Sequence, residues 1–292
     1  MQKIRVTDVR VLPGDSGFLI DDGETAILWD SGFGFTGWGL AENVSRELGD
    51  RKLDSIFLSH SHYDHVLGAI NVKKLYPDAT VYAGEHAAQV FAKETTRTRM
   101  RDLDVNAALE RGVNEYDDFI DELEGLVDVV VEDGDIIHAG KMDYQVIALP
   151  GHTKCSIGFY ELNTRMLLGS ETLGNYDGEH NVIFPIYLVG YQMTLDSIDR
   201  AVSLEPKSVV VPHYGLVGED RVQWYLDSIK PAAAELAETF KRLIEAGKTD
   251  EELTAWYRDK FWHGKMKIIY PREAIKLNTG IMANLVRREL CQ

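Results

Sequence analysis

Cysteine is scarce in this chain, which has only Cys155 and Cys291 among its 292 residues. Two cysteines cannot form the multiple cross-links of a small disulfide-stabilised secreted scaffold. Long apolar runs are missing as well: the N-terminal segment alternates apolar and polar residues and has no apolar core of the kind found in signal peptides and membrane anchors. These absences predict a cytoplasmic protein that has no membrane partner.

Basic residues are also few, because 31 Lys and Arg stand against 47 Asp and Glu and give a net charge of −16. A strongly negative surface repels phosphate backbones, so we expect no nucleic-acid partner. A small anionic substrate stays possible, since a few basic residues can still gather in one pocket. The hydrophobic fraction of 45% is typical of a globular protein, and the sequence leaves a homodimer open.

Strand and helix patterns alternate along the first two thirds of the chain. Alternating or apolar segments predict strands at 9–12, 17–20, 25–29, 55–59, 80–83, 127–131, 136–137, 144–149, 156–162, 166–168 and 208–211. Helical spacing predicts helices at 38–48, 66–75 and 194–204. A proline-free, charged segment at about 85–125 is interpreted as an insert of two or three helices, and everything from residue 220 onward as helical. The fold class is therefore α/β.

Residues 59–65 read SHSHYDH and place His60, His62, Asp64 and His65 within six positions. Alternate residues of an extended segment project to the same side, which brings His60 and His62 together, while the turn at Asp64 and His65 can face a second, adjacent point. Imidazole nitrogens and carboxylate oxygens are ligands that zinc, iron and manganese prefer. A polar loop whose histidines have no special role is the alternative, and three interleaved histidines after a strand argue against it.

The motif H-x-H-x-D-H resembles the signature of the metallo-β-lactamase fold superfamily, and other motifs extend the likeness over about residues 1–218. An early strand is followed by Asp30 in a D-S-G turn, His152 lies in P-G-H-T, and His213 follows the apolar strand in VVVPHYG. The resemblance implies an αββα sandwich of two mixed sheets flanked by helices over residues 1–219. A helical C-terminal extension over 220–292 then makes the chain similar in style to the thioesterase-like and lactonase-like members.

One position departs from the family pattern. The family usually carries G-D where this chain reads LLGSETLG, so Glu171 is the best match for the aspartate that bridges two metals. Glutamate can bridge as well, but its extra methylene changes reach and angle. An exposed hairpin glutamate without a metal is the other interpretation of this residue.

The resemblance implies a complete set of ligands for two divalent metal ions, with zinc expected first and iron or manganese as alternatives. One metal is assigned to His60, His62 and His152. The other is assigned to Asp64, His65 and His213, with Glu171 between the two. Asp30 would orient a ligand through a hydrogen bond, and Asp64 is also the candidate proton acceptor in catalysis.

These assignments predict a metal-dependent hydrolase in which a metal-bound hydroxide attacks a small ester, thioester, lactone or phosphodiester. Five further residues follow ligand segments and are candidates for substrate binding: Tyr176, His180, Tyr187, Tyr191 and Tyr214. Ordinary packing is the alternative for most of these tyrosines, and for His86, His138 and His263 we expect no role in the site. Cys155 is expected to be a small buried residue.

Several branches of the family can be set aside. The negative charge disfavours ribonucleases, and no basic glutathione-binding pattern of the glyoxalase II type is visible. Two alternatives of other classes remain open: a non-catalytic metal-containing ligand sensor or effector, and a di-iron redox protein.

Overall fold

The structure of this chain is a computed structural model that describes residues 4–178, 180–264, 266–270 and 272–291. The chain packs as two compact units. Unit 1 comprises Met1–Ala148 and Ile157–Asn163, and unit 2 comprises Leu149–Ser156 and Thr164–Gln292. No helix of the described part is long and apolar enough to span a bilayer.

The first sheet of unit 1 has six strands that pair in chain order: β1 (Arg5–Asp8), β2 (Phe18–Asp21), β3 (Ala26–Trp29), β4 (Ser55–Phe57), β5 (Thr80–Gly84) and β6 (Val129–Val131). Neighbours from β1 to β3 are antiparallel, whereas those from β3 to β6 are parallel. The central strands β2, β3 and β4 are buried throughout, as expected where a sheet is covered on both faces.

Helices of unit 1 connect these strands, and helix α1 (Gly37–Leu48) illustrates why they form. Its residues Leu40, Val44 and Leu48 recur at helical spacing and are all buried. The other helices are α2 (Tyr63–Val66), α3 (Gly68–Leu75), α4 (Glu85–Phe91), α5 (Glu94–Glu110) and a 3₁₀ helix at Ile120–Gly125. The last three form the helical insert predicted at 85–125.

A second set of strands in unit 1 faces the first sheet. It consists of β7 (Ile136–Ala139), β8 (Met142–Ala148) and β9 (Ile157–Glu161), which pair antiparallel in that order. Phe57 on β4 stacks on Phe159 of β9 with ring centroids 4.5 Å apart, and it makes a T-shaped contact with Tyr144 of β8 at a centroid distance of 5.3 Å. These aromatic contacts fill the space between two facing sheets.

Unit 2 contains β10 (Met166–Leu168) paired in parallel with β13 (Ser208–Val211), which pairs antiparallel with β14 (Gly215–Val217). A separate hairpin joins β11 (Asn175–Asp177) to β12 (Val182–Phe184). The helices are α6 (Tyr191–Ser203), α7 (Val222–Glu245), α8 (Asp250–Phe261), α9 (Met266–Ile269) and α10 (Arg272–Leu290). Their apolar faces form a core that includes Phe184, Tyr187, Phe240, Tyr257 and Met282.

The α/β class with two mixed sheets flanked by helices is confirmed, as is the helical character of the described residues after 220. The strand predicted at 9–12 is wrong. Arg5–Asp8 forms the first strand, because the ladder with β2 ends at Asp8 and a turn closed from Asp15 N to Leu12 O follows. The short strands β11, β12 and β14 were not predicted. The division at residue 219 stays a prediction.

Candidate metal centre

In unit 1, the candidate ligands follow the C-terminal end of a parallel strand. Asp30 leaves β3 and His60 leaves β4, and since these strands are parallel neighbours with Trp29 opposite Phe57, both side chains emerge at the same edge. The imidazole ring of His60 lies 4.6 Å from that of His62 and 4.1 Å from that of His65, centroid to centroid. The structure thus brings three predicted ligands of the motif together.

Asp30 is fully buried and connects this loop to the strand. Its carboxylate accepts hydrogen bonds from the backbone N–H of Ser59 at 2.8 Å, from the Ser59 hydroxyl at 2.8 Å and from Nδ1 of His65 at 2.8 Å. The His60 ring joins the same network, with Nδ1 2.9 Å from the Ser59 hydroxyl oxygen.

This network determines which ring nitrogen would bind a metal. A carboxylate only accepts, so Nδ1 of His65 carries the proton. The single Ser59 hydroxyl proton is directed to Asp30, so the hydroxyl oxygen accepts from Nδ1 of His60. In both rings Nε2 therefore carries the lone pair and is the nitrogen that would bind a metal, as in a histidine ligand oriented by a second hydrogen bond.

In unit 2, the same topological feature recurs. Glu171 follows β10 and His213 follows β13, and Leu168 lies opposite Val210 in this parallel pair. His213 adopts a φ of 64°, a strained backbone conformation for a histidine and one that is common at functional sites. Thr172 connects the segment of Glu171 to the segment that carries His152. Its hydroxyl donates to Leu149 O and accepts from the backbone N–H of His152.

Gly151 allows the neighbouring His152 to approach the segment that contains Glu171 and Thr172. Its φ is 141°, and a Cβ at this position would lie 2.3 Å from the Thr194 hydroxyl oxygen. The P-G-H-T turn therefore requires glycine both for its backbone conformation and for its close contact with Thr194.

The carboxylate of Glu171 is the centre of the unit 2 cluster. It is 2% exposed, with Oε2 2.8 Å from Nε2 of His152 and Oε1 3.2 Å from Nε2 of His213. Burial raises the pKa of Glu171, but the charges of His152 and His213 and the hydrogen bonds from them outweigh burial and hold this pKa well below its usual value. The exposed hairpin glutamate considered as the alternative is therefore wrong.

The donor set around Glu171 fits a metal cation. Nδ1 of His152 lies 3.0 Å from the Ile186 carbonyl oxygen, so it must donate a proton there. A neutral His152 ring would then direct its Nε2 lone pair at the carboxylate, which is repulsive at 2.8 Å. A proton on that nitrogen or a metal ion removes the repulsion, and buried imidazole and carboxylate groups are ligands of zinc, iron and manganese.

The five candidate substrate residues lie in less distinctive surroundings. Tyr176 packs on Trp224 and Tyr225, Tyr187 contacts Tyr191, and Tyr214 stacks on Phe184. His180 is about half exposed and pairs with buried Asp177 at 2.7 Å. Their role in substrate binding stays a prediction. Cys155 is buried, as predicted.

Two residues beside Glu171 were missed by sequence analysis. Nδ2 of Asn175 donates to Glu171 Oε1 at 2.6 Å, and the Tyr270 hydroxyl donates to the same oxygen at 2.5 Å. Asn175 follows Glu171 closely enough to be considered from its position. Tyr270 lies 99 residues further along the chain, and no pattern in the sequence relates it to Glu171.

A family model with the description metallo-beta-lactamase superfamily matches residues 10–213. The chain belongs to the metallo-β-lactamase superfamily. It is similar to the hydroxyacylglutathione hydrolase of Buchnera aphidicola, with 27% identity over 124 residues that cover 42% of this chain and 36% of the relative. It is also similar to the hydroxyacylglutathione hydrolase of Haemophilus ducreyi, with 21% identity, covering 72% of this chain and 69% of the relative.

The chain thus spans about a third of the length of the Buchnera relative. Both relatives are by name of the glyoxalase II type, which was set aside above because no basic glutathione-binding pattern is visible in the sequence.

Among solved structures, the chain resembles a metallo-β-lactamase family protein of Thermus thermophilus, with a TM-score of 0.64, 17% identity and coverage of 98% of this chain and 93% of the other. A stereoselective inverting sec-alkylsulfatase of Pseudomonas sp. has a TM-score of 0.63 and 16% identity, covering 99% of this chain and 49% of the other. At identities this low, the likeness shows the fold alone.

Proposed function

We propose that this protein is a binuclear metal-dependent hydrolase. Residues of the superfamily pattern would hold the metals: His60, His62 and His152 one, Asp64, His65 and His213 the other, with Glu171 as the bridge. Each of the seven offers an imidazole nitrogen or a carboxylate oxygen. The buried Glu171 carboxylate, placed between the Nε2 atoms of two histidines, is the observation that carries the proposal.

Two divalent ions, with zinc proposed first, would supply an activated water and neutralise negative charge that develops on the substrate. The chain's own residues supply orientation. Asp30 and Ser59 hold the His60 and His65 rings with Nε2 as the coordinating atom, and Ile186 O does the same for His152. We assign proton acceptance to Asp64.

The proposed substrate is a small ester, thioester, lactone or phosphodiester. Thioesters come first, because the curated relatives are named hydroxyacylglutathione hydrolases, although sequence identity this low does not transfer their substrate to this chain. Action in the cytoplasm is kept as a prediction.

Metal analysis combined with a panel of these four substrate classes tests the proposal. We expect two equivalents of zinc and turnover of at least one class in the wild type, and loss of both in His60→Ala and in Asp64→Ala. His138→Ala is a matched control, since this imidazole is 78% exposed and pairs only with Asp143 among its described contacts. Full activity in His60→Ala or Asp64→Ala would disprove the assignment.

Other outcomes distinguish the alternative functions. Two irons with oxygen-dependent turnover would indicate a redox protein. Tightly bound metal without turnover of any substrate, with a partner retained by His62→Ala, would indicate a sensor or effector.

A further inference from the structure

Tyr270 brings the C-terminal helical segment to the metal-ligand cluster of unit 2. It follows α9, is 8% exposed, and its hydroxyl donates to Oε1 of Glu171 at 2.5 Å. The Trp262 indole N–H donates to the backbone carbonyl oxygen of Tyr270 at 2.9 Å, which fixes the segment. The Tyr270 ring meets the His213 ring with centroids 5.9 Å apart.

The two carboxylate oxygens of Glu171 have different hydrogen-bond partners. Oε1 accepts from Tyr270 and from Asn175 and faces His213, whereas Oε2 faces His152. The Tyr270 hydroxyl and the Asn175 amide are also in contact with each other. Together they hold one oxygen in place and thereby determine the direction of the other.

A glutamate needs such support more than an aspartate does. Its side chain has one more rotatable bond, and ordering a long side chain costs conformational entropy. A carboxylate that would bind two cations must be placed accurately, and hydrogen bonds from neighbouring side chains are the means by which proteins orient metal ligands.

We propose that Tyr270 is a positioning residue of the metal centre, which acts through its hydrogen bond to Glu171 and so makes metal affinity depend on the C-terminal helical segment. The inference rests on the proposed hydrolase function for the identity of the site. It assigns Tyr270 to orientation of the carboxylate, without contact with substrate.

The test compares the zinc affinity of the wild-type protein and Tyr270→Phe by competition with a chromophoric chelator. We expect affinity to fall roughly 10- to 100-fold, the usual effect of removing a hydrogen-bond partner of a metal ligand. The thermal midpoint of the metal-free variant should remain close to that of the metal-free wild type, which separates positioning from general destabilisation. If substrate turnover is found, kcat should fall more than KM rises.

Tyr225→Phe is the matched control. This buried phenol donates only to backbone carbonyls among its described contacts, Leu173 O at 3.3 Å and Gly174 O at 3.2 Å. Its loss should lower stability and leave zinc affinity within about threefold of the wild-type value, because no described hydrogen bond joins its hydroxyl to the Glu171 carboxylate.

A double-mutant cycle with Glu171→Asp decides whether Tyr270 acts through the carboxylate. The aspartate side chain is one methylene shorter, so its carboxylate should not reach the Tyr270 hydroxyl. In that background, Tyr270→Phe should therefore change zinc affinity less than about threefold. Unchanged affinity in the single Tyr270→Phe variant, or an equal loss in both backgrounds, would overturn the inference. A wild type that binds no divalent metal would overturn this inference and the proposed function together, whereas metal binding without hydrolysis would contradict only the hydrolase.

Discussion

Asp30 illustrates how much a single buried carboxylate can organise. It accepts hydrogen bonds from Ser59, His65 and the Ser16 hydroxyl at 3.3 Å, all of them fully buried residues. Its own φ is 54°, an uncommon backbone conformation that the surrounding bonds must maintain. Loss of this carboxylate would leave several buried donors unsatisfied at once.

Asp15 is a second buried carboxylate in unit 1, and its environment differs. It accepts hydrogen bonds from the backbone N–H groups of Ser16 and Phe33 at Oδ1 and from the Thr36 hydroxyl at Oδ2. All three of these donors are uncharged groups. Burial raises the pKa of Asp15 to about 6, although these hydrogen bonds act in the opposite direction.

This raised pKa predicts a pH-dependent stability. Between the unfolded value of 3.8 and the folded value of about 6, the folded state binds more protons, so the free energy of unfolding falls as pH rises through this window. Two pKa units correspond to roughly 3 kcal/mol. Asp15→Asn keeps the acceptor at Oδ1 and should remove this dependence, so its stability relative to the wild type should rise between pH 4 and pH 6 in urea titrations.

Asp50→Asn is the control, because it removes a carboxyl at an exposed position and should leave the profile of the wild type in place. Parallel stability profiles of Asp15→Asn and the wild type would contradict the predicted role of Asp15.

At the scale of elements, both units place residues of the candidate site after adjacent parallel strands. Asp30 and His60 follow β3 and β4, and Glu171 and His213 follow β10 and β13. Carboxyl ends of parallel neighbours lie at one edge of a sheet, so residues far apart in sequence meet there without any long loop. Strand direction therefore explains the position of the candidate ligands better than the length of the connections does.

Helix α8 illustrates a local signal that stabilises the C-terminal segment. The Thr249 hydroxyl accepts from the Glu252 N–H, and the Glu252 carboxylate accepts from the Thr249 N–H, which completes a capping box. Beyond this cap, Leu253, Tyr257 and Phe261 are buried in the core of unit 2.

Removing the cap should therefore weaken the segment. We expect Thr249→Ala to lower the free energy of unfolding by about 1 kcal/mol, measured by urea denaturation of the metal-free protein, because the first turn loses an acceptor. Thr249→Ser keeps the hydroxyl and should retain most of the stability. Equal losses in the two variants would show that the hydroxyl does not act as a cap.

For the whole molecule, the proposed ligands come from segments more than 150 residues apart, between His60 and His213. An unfolded chain cannot present them together, so a metal that binds the folded state stabilises it, by about 2.7 kcal/mol at a concentration of one hundred times Kd. Chelation should lower the thermal midpoint, and added zinc should restore it. In His60→Ala the shift should be much smaller, and an equal shift in this variant would argue that the metal binds elsewhere.

The sequence by itself determined the superfamily and the α/β class. H-x-H-x-D-H is a contiguous motif, so its ligand chemistry and spacing can be read from the sequence alone. The helical insert followed from the charged, proline-free composition of residues 85–125. The wrong prediction of a strand at 9–12 has a local cause too. The apolar residues of this segment are typical of a strand, but the ladder with β2 ends at Asp8.

Only the tertiary structure decided what surrounds Glu171. In sequence, this residue was an imperfect match to an aspartate, with an exposed hairpin residue as the alternative. The folded structure shows that Glu171 is buried between two histidines. It also shows the hydrogen bond from the Tyr270 hydroxyl, 99 residues away in sequence. Hydrogen bonds between distant segments leave no periodic or contiguous pattern, since they depend on how elements pack and not on the order of residues.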